Sequence, residues 1–126
     1  MTAKLALGDL FPLDRIHYDR RLRERSFGIY EGGPYDKERM PQEYVKQMKK
    51  DPENFKFPEG ESLRDVERRI RPFVEEMKEK YPGKTVLIVA HGTLLSCMTC
   101  VVQHTQVLDR TRYHYNNAEP AILEVY

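Results

Sequence analysis

Thr85-Val86-Leu87-Ile88-Val89-Ala90-His91-Gly92-Thr93 is the stretch on which the fold of this chain turns. Thr85–Ala90 is a continuous, largely apolar and β-branched run. Tyr81-Pro82-Gly83-Lys84 precedes it as a turn, and a histidine and a glycine close it. A run this short, with no polar alternation, predicts a strand buried on both faces, the kind found in parallel sheets. A helix is expected to follow from about Thr93 to Gln103. His91 then stands at a strand end against a helix start, the edge of an open α/β sheet where ligands bind. Unpaired N–H groups and the helix dipole favour an anion such as phosphate there, and Gly92 lets backbone come close to it. The bland alternative is a histidine whose ring is satisfied locally at a strand end.

Upstream, Ser62–Tyr81 predicts the best helix. Ser62 is a good N-cap, Asp65 three residues later resembles a capping box, and Leu63, Val66, Ile70, Phe73, Val74 and Met77 form one apolar stripe. Pro72 predicts a bend and Pro82-Gly83 a stop. Tyr35–Lys50 is helical by composition, with Pro41 disturbing its start or middle. Residues 2–7 read as the tail of a short helix, Ile16–Leu22 as a short extended segment or strand, and Ala121–Tyr126 as a final strand. Helix, buried strand, helix and strand together imply an α/β layered domain.

At 126 residues the chain suits one domain, spanning 1–126, with a single core. Its 21 basic and 20 acidic side chains create no global field, so neither nucleic acid nor an anionic membrane is an expected partner. The cluster Arg20, Arg21, Arg23 and Arg25 reads mostly as a solvated face. No apolar run is long enough to span a bilayer, and no signal peptide is legible, which sets a cytoplasmic expectation. Cys97 and Cys100 have C-x-x-C spacing, but no second cysteine pair or histidine cluster completes a metal site. Three apart on a helix, they read as core.

Two further stretches add to the His91 motif. Leu22-Arg23-Glu24-Arg25-Ser26-Phe27-Gly28-Ile29-Tyr30-Glu31-Gly32 and Pro58-Glu59-Gly60-Glu61-Ser62-Leu63 precede it in order. Together with Val89, His91 and Gly92 they resemble the histidine phosphatase superfamily of phosphoglycerate mutase-like proteins. That family shows L-x-E-x-x-x-G-x-x-E-G, then G-E-S/T opening a helix with a downstream Arg, here Arg68 or Arg69, then V-x-H-G. Each motif alone is weak; the ordered set of three is specific.

The resemblance implies a three-layer phosphoglycerate mutase-like sheet with flanking helices, here without the first strand and helix. It implies phosphoryl-ester chemistry on a small phosphorylated metabolite or phosphate, with no cofactor and no metal. By the same resemblance His91 is the second histidine, contacting non-bridging phosphate oxygens, and Glu24 protonates the leaving oxygen. Arg25, Gly92 and Thr93 bind the phosphate or substrate. The short connection from Gly33 to Phe57 leans toward phosphatase over mutase. The Glu24-Arg25 pair leans toward sugar-phosphate or phosphoglycerate substrates.

The family's R-H-G motif, which carries the phospho-accepting histidine, does not occur among these residues. The expectation is therefore an N-terminally truncated domain, inactive or weakly active alone. His17, His104 and His114 lack the adjacent Arg and Gly and read as surface or packing residues. The alternative function is a non-catalytic module that binds a phosphorylated ligand or another protein. A missing central strand would leave an apolar gap, which predicts a homodimer, a complementing fragment or a rearranged sheet.

Overall fold

The computed structural model describes residues 12–31, 40–117 and 119–125. The expected helix tail at 2–7 and the motif glycine Gly32 lie outside the described residues, as do Gly33 and Pro34. Three α-helices organise the rest: α1 (Gln42–Lys50), α2 (Leu63–Lys80) and α3 (Gly92–Val102). Short 3-10 turns stand at Leu13–Arg15, Arg20–Leu22, Gly28–Tyr30 and Val107–Arg112.

Helix α2 forms where the periodicity places it. Asp65 donates its amide to Ser62 Oγ at 3.0 Å, and Ser62 donates its own amide to Asp65 Oδ2 at 3.0 Å. Two of the first turn's orphan donors are thus satisfied. Lys78 and Lys80 sit in the last turn, where cations suit the dipole. Pro72 lies within the helix, which continues through it; the N–H that would bind the Arg68 carbonyl is simply lost. Leu63, Val66, Ile70, Phe73 and Val74 are buried, each contributing about 1.5–3 kcal/mol of burial free energy.

Helix α3 packs against that stripe and against the Val107–Arg112 turn. Leu94, Cys97, Met98, Val101 and Val102 join the α2 residues and Val107 in one core. Both cysteines are buried thiols, as the spacing predicts, and burial pushes Cys97 up to about 11. Thr99 Oγ1 lies 2.8 Å from the Leu95 carbonyl and 2.6 Å from the Tyr115 hydroxyl, which fastens the chain after Val107–Arg112 to α3. The helix ends on His104, whose φ is +57°. Thr105 N donates to Cys100 O at 2.9 Å and His104 N to Val101 O at 3.3 Å, a Schellman close with histidine in the glycine position. His104 is thus a surface residue, as expected.

A second, smaller core gathers Met40, Phe55 and Phe57, with Phe27, Tyr30 and Tyr44 packed against it. Phe55 and Phe57 meet edge to face at 5.0 Å, a geometry the ring quadrupoles favour. Helix α1 covers this cluster. It starts at Gln42, directly after Pro41, because the ring of Pro41 pushes Met40 out of helical backbone. Residues 35–39 of the expected longer helix lie outside the described residues.

The expected sheet is where sequence and structure part. Among the described residues none belongs to a β-strand, so the three-layer sheet is not seen. Thr85–Ala90 carries no ladder hydrogen bond to a described residue; Ile88 and Ala90 pack on the α2–α3 core, while Leu87 is 63% exposed. The run expected at Ala121–Tyr126 is also not a strand over its described residues, and Ile122 is 96% exposed. Ile16–Leu22 forms no strand; of the two alternatives it keeps the extended one at Asp19 (φ −129°, ψ 124°) before it closes in the 3-10 turn Arg20–Leu22. The physical reason is common to all three: β-propensity is a preference for a paired, half-buried surface, and no described neighbour supplies the pairing.

Candidate phosphate site

His91 is the N-cap of α3, with extended backbone (φ −119°, ψ 160°) and an exposed side chain. Its carbonyl accepts Leu95 N at 2.8 Å, the first bond of the helix. The first-turn N–H groups of Thr93 and Leu94 have no helix carbonyl to receive them. Glu24 receives both: Thr93 N donates to Oε2 at 3.2 Å and Leu94 N to Oε1 at 3.1 Å. Arg25 N adds a third bond to Oε1 at 2.9 Å. Two residues 67 positions apart, weighed separately in the sequence, are thus brought to one helix end.

Glu24 is held there with both carboxylate oxygens acting as acceptors. The end of α3 that the dipole makes attractive to an anion is met by a carboxyl group of the protein itself. Gly92 is open: a Cβ built on it would meet nothing within 4 Å. Among the described residues, no packing demands glycine at this position. Arg25 donates through Nε to Glu61 O at 2.9 Å and through a terminal nitrogen to Phe55 O at 3.2 Å, with its guanidinium 5.7 Å from the Phe27 ring centre. It joins the loop before α2 to the Glu24 segment. Arg21 is likewise engaged, with Asp19 and Glu76 and across the Phe73 ring. Half of the arginine cluster expected to be a solvated face is therefore part of the structure, while Arg20 and Arg23 are exposed.

Sequence reasoning found the motif around Glu24 and the Gly60-Glu61-Ser62 motif but not how they meet. They dock backbone against backbone. Glu61 N donates to Ser26 O at 2.9 Å, Ser26 N returns a bond to Glu61 Oε2 at 2.9 Å, and Ile29 N reaches Pro58 O at 3.1 Å. Gly28 sits at the crossing with φ +58°, and a Cβ there would lie 2.0 Å from Pro58 O. Its glycine is dictated by this contact. Glu31 closes the same turn, accepting Phe27 N at 2.8 Å.

Arg69, not Arg68, is the inward arginine. Its side chain is 12% exposed, and it grips Glu61 with Nε on Oε1 at 2.9 Å and a terminal nitrogen on Oε2 at 3.2 Å. It also donates to Arg21 O at 2.5 Å and Glu24 O at 3.2 Å. Arg68 is exposed and meets Asp65. Helical spacing carried the signal: Arg69 lies three residues after Val66 and four before Phe73, on the edge of the buried stripe. Burial pushes the Glu61 carboxyl up, but Arg69, the Ser26 amide and the charge of Arg23 outweigh it and hold Glu61 below its ordinary value.

A shallow cavity of about 570 Å³, lined by Asn54, Arg64, Glu67, Arg68, Arg71, Pro72 and Glu75, includes none of the expected site residues. Its arginines are paired with Glu53, Asp65 and Glu67. No group of three or more metal-ligating side chains is assembled among the described residues. No helix in them is long and apolar enough to cross a membrane.

Comparison with known proteins gives one answer at three levels. The chain is 32% identical over 101 residues to a putative phosphoserine phosphatase 2 of Hydrogenobacter thermophilus, covering 79% of this chain and 49% of that protein. It is 36% identical over 81 residues to a probable phosphoglycerate mutase GpmB of Yersinia pestis, covering 64% of this chain and 38% of that protein. The chain thus spans less than half the length of these relatives. Its fold matches the crystal structure of the alpha-ribazole phosphatase from Shigella flexneri with a TM-score of 0.76 at 22% identity, over 98% of this chain and 65% of that one. Bacillus stearothermophilus YhfR matches with a TM-score of 0.69 at 28% identity, over 96% and 56%. A family model aligned over residues 1–126 agrees with the ordered motifs around Glu24, Gly60 and His91: the chain belongs to the histidine phosphatase superfamily, branch 1.

Proposed function

We propose that this chain carries the second-histidine side of a phosphomonoesterase site, with His91 and Glu24 as its catalytic residues. The observation that supports it best is the meeting of Glu24 with the first-turn amides of the helix that His91 caps. The exposed His91 imidazole would donate to a non-bridging oxygen of a phosphate ester and stabilise charge on the transferring group. Thr93 N and the open face at Gly92 would receive the anion, and Arg25 would flank it. Glu24 would leave its amide bonds as substrate seats, take up a proton from solvent, and deliver that proton to the leaving oxygen.

The substrate class is a small phosphorylated metabolite. The phospho-accepting histidine of the family has no counterpart among these residues, so we propose little or no turnover by the chain alone. Phosphate binding without turnover is the second reading. The Glu24 carboxyl held by three backbone amides, an acceptor arrangement with no group left to give a proton, favours it.

The test is hydrolysis of an aryl phosphate, with phosphate-dependent thermal shift measured in parallel. Turnover lost at least a hundredfold in His91→Ala or Glu24→Gln supports the enzymatic reading. No turnover, with thermal stabilisation by phosphate that His91→Ala removes, supports the binding reading. Neither turnover nor stabilisation removes the site altogether.

A further inference from the structure

We propose that Arg69 and Glu61 form a positioning pair that sets the Glu24 carboxylate against the end of α3, a role that rests on the site reading above. The pair is partly buried, with side chains 12% and 15% exposed. Its contacts fall on both sides of Glu24 in the chain. Arg69 takes the carbonyls of Arg21 and Glu24 itself, while Glu61 takes the Ser26 amide through its side chain and Ser26 O through its own N–H. Main-chain groups at 21, 24 and 26 are thereby tied to α2 and to the turn before it.

What remains free at Glu24 is its side chain, which reaches Thr93 and Leu94 on α3. Arg69 touches neither His91 nor these amides in the bonds it makes, so it acts through Glu24 and not on a substrate. Its planar fork is what the geometry uses: Nε and one terminal nitrogen meet one carboxylate, and that terminal nitrogen and the other meet carbonyls of another segment. A lysine offers one compact charge and cannot span both.

The amides of Thr93 and Leu94 report this directly. They lie in the first turn, so their protection against hydrogen exchange comes from Glu24 and not from helix carbonyls. In the full 126-residue chain, Glu24→Ala, which leaves no acceptor at the helix end, defines the unprotected reference for the two amides. Arg69→Lys should raise exchange at Thr93 and Leu94 at least tenfold, toward that reference, while Val101 and Val102 in the same helix change less than twofold. Glu61→Gln should give the same pattern, and the double variant should be no worse than either single one, because one coupled unit is broken.

Unchanged exchange at Thr93 and Leu94 in Arg69→Lys overturns the proposal. So does a uniform rise along α3, which would make Arg69 a residue that only holds the fold. Where Arg69→Lys does not fold, Glu61→Gln decides by the same two amides. Titrating the same spectra with inorganic phosphate separates this from the site reading. A wild-type chain whose His91–Leu94 signals ignore phosphate loses the proposed function and keeps the positioning pair.

Discussion

Two regions of this molecule, one largely polar and one largely apolar, have fates opposite to what those compositions suggest. The loops around Glu24 and Gly60 are short on secondary structure, yet side chains or facing backbone take up the main-chain groups that carry their motifs. The runs at Thr85–Ala90 and Ala121–Val125 are rich in strand-forming residues, yet among the described residues they have no ladder partners and leave Leu87 and Ile122 exposed. Order follows partners, not propensity. A loop whose polar groups are satisfied by a neighbour is well defined, whereas a strand sequence needs a second backbone before its preference has effect.

The sharpest way to break that contrast is at the two glycines. Gly28→Ala would set a methyl against Pro58 O in left-handed backbone, and should cost about 3 kcal/mol or more in chemical denaturation. Gly92→Ala meets open space at a helix start and should change stability by no more than about 0.5 kcal/mol. If Gly92 serves an anion, the same change weakens phosphate binding while the fold is kept. Equal destabilisation by both substitutions would undo the distinction between a structural and a functional glycine.

Acid should loosen the docked loops next. Glu61 is held below its ordinary value by Arg69 and the Ser26 amide against the opposing effect of burial. Asp65 is held down chiefly by the Ser62 amide, and Asp19 chiefly by the Arg21 side chain. A carboxyl whose folded value is depressed stabilises fully above its unfolded value, here 4.5 for Glu and 3.8 for Asp, and that stability is lost as pH falls through the folded value. The thermal midpoint should therefore drop between pH 5 and 3, by roughly 3–5 °C per kcal/mol lost in a chain of this length. Glu61→Gln should flatten part of this dependence. An identical pH profile in that variant would show that the clamp adds nothing.

The smallest effect on stability is expected where partners are missing. Leu87→Lys and Ile122→Lys should each shift the unfolding free energy by less than about 0.5 kcal/mol, because neither side chain is packed. Their effect should be on association. The wild-type chain should sediment above monomer mass at tens of micromolar, and the double lysine variant should not. A monodisperse wild-type monomer would mean that these runs are tolerated in solution as they stand.

Much of the architecture was legible residue by residue. Ser62 and Asp65 announced the start of α2, Tyr81-Pro82-Gly83 its end, and the stripe from Leu63 to Val74 its buried face. Cys97 and Cys100 were legible as core from their helical spacing. The histidine at the start of α3 was legible as well, because a glycine and a helix follow it directly. Local patterns of this kind report local rules, such as caps, turns and periodic burial, and those rules act within a few residues.

The amino-acid order by itself determined the three helices, the membership in one family and the identity of the motif residues. Only the tertiary structure decided that Glu24 lies on the amides of α3, that Arg69 rather than Arg68 turns inward, and that Gly28 is required by Pro58. It also decided that Thr85–Ala90 is not a strand among the described residues. Each of these depends on what a distant segment brings within hydrogen-bonding or van der Waals range. Such proximity is a property of the folded chain, and no window of neighbouring residues contains it.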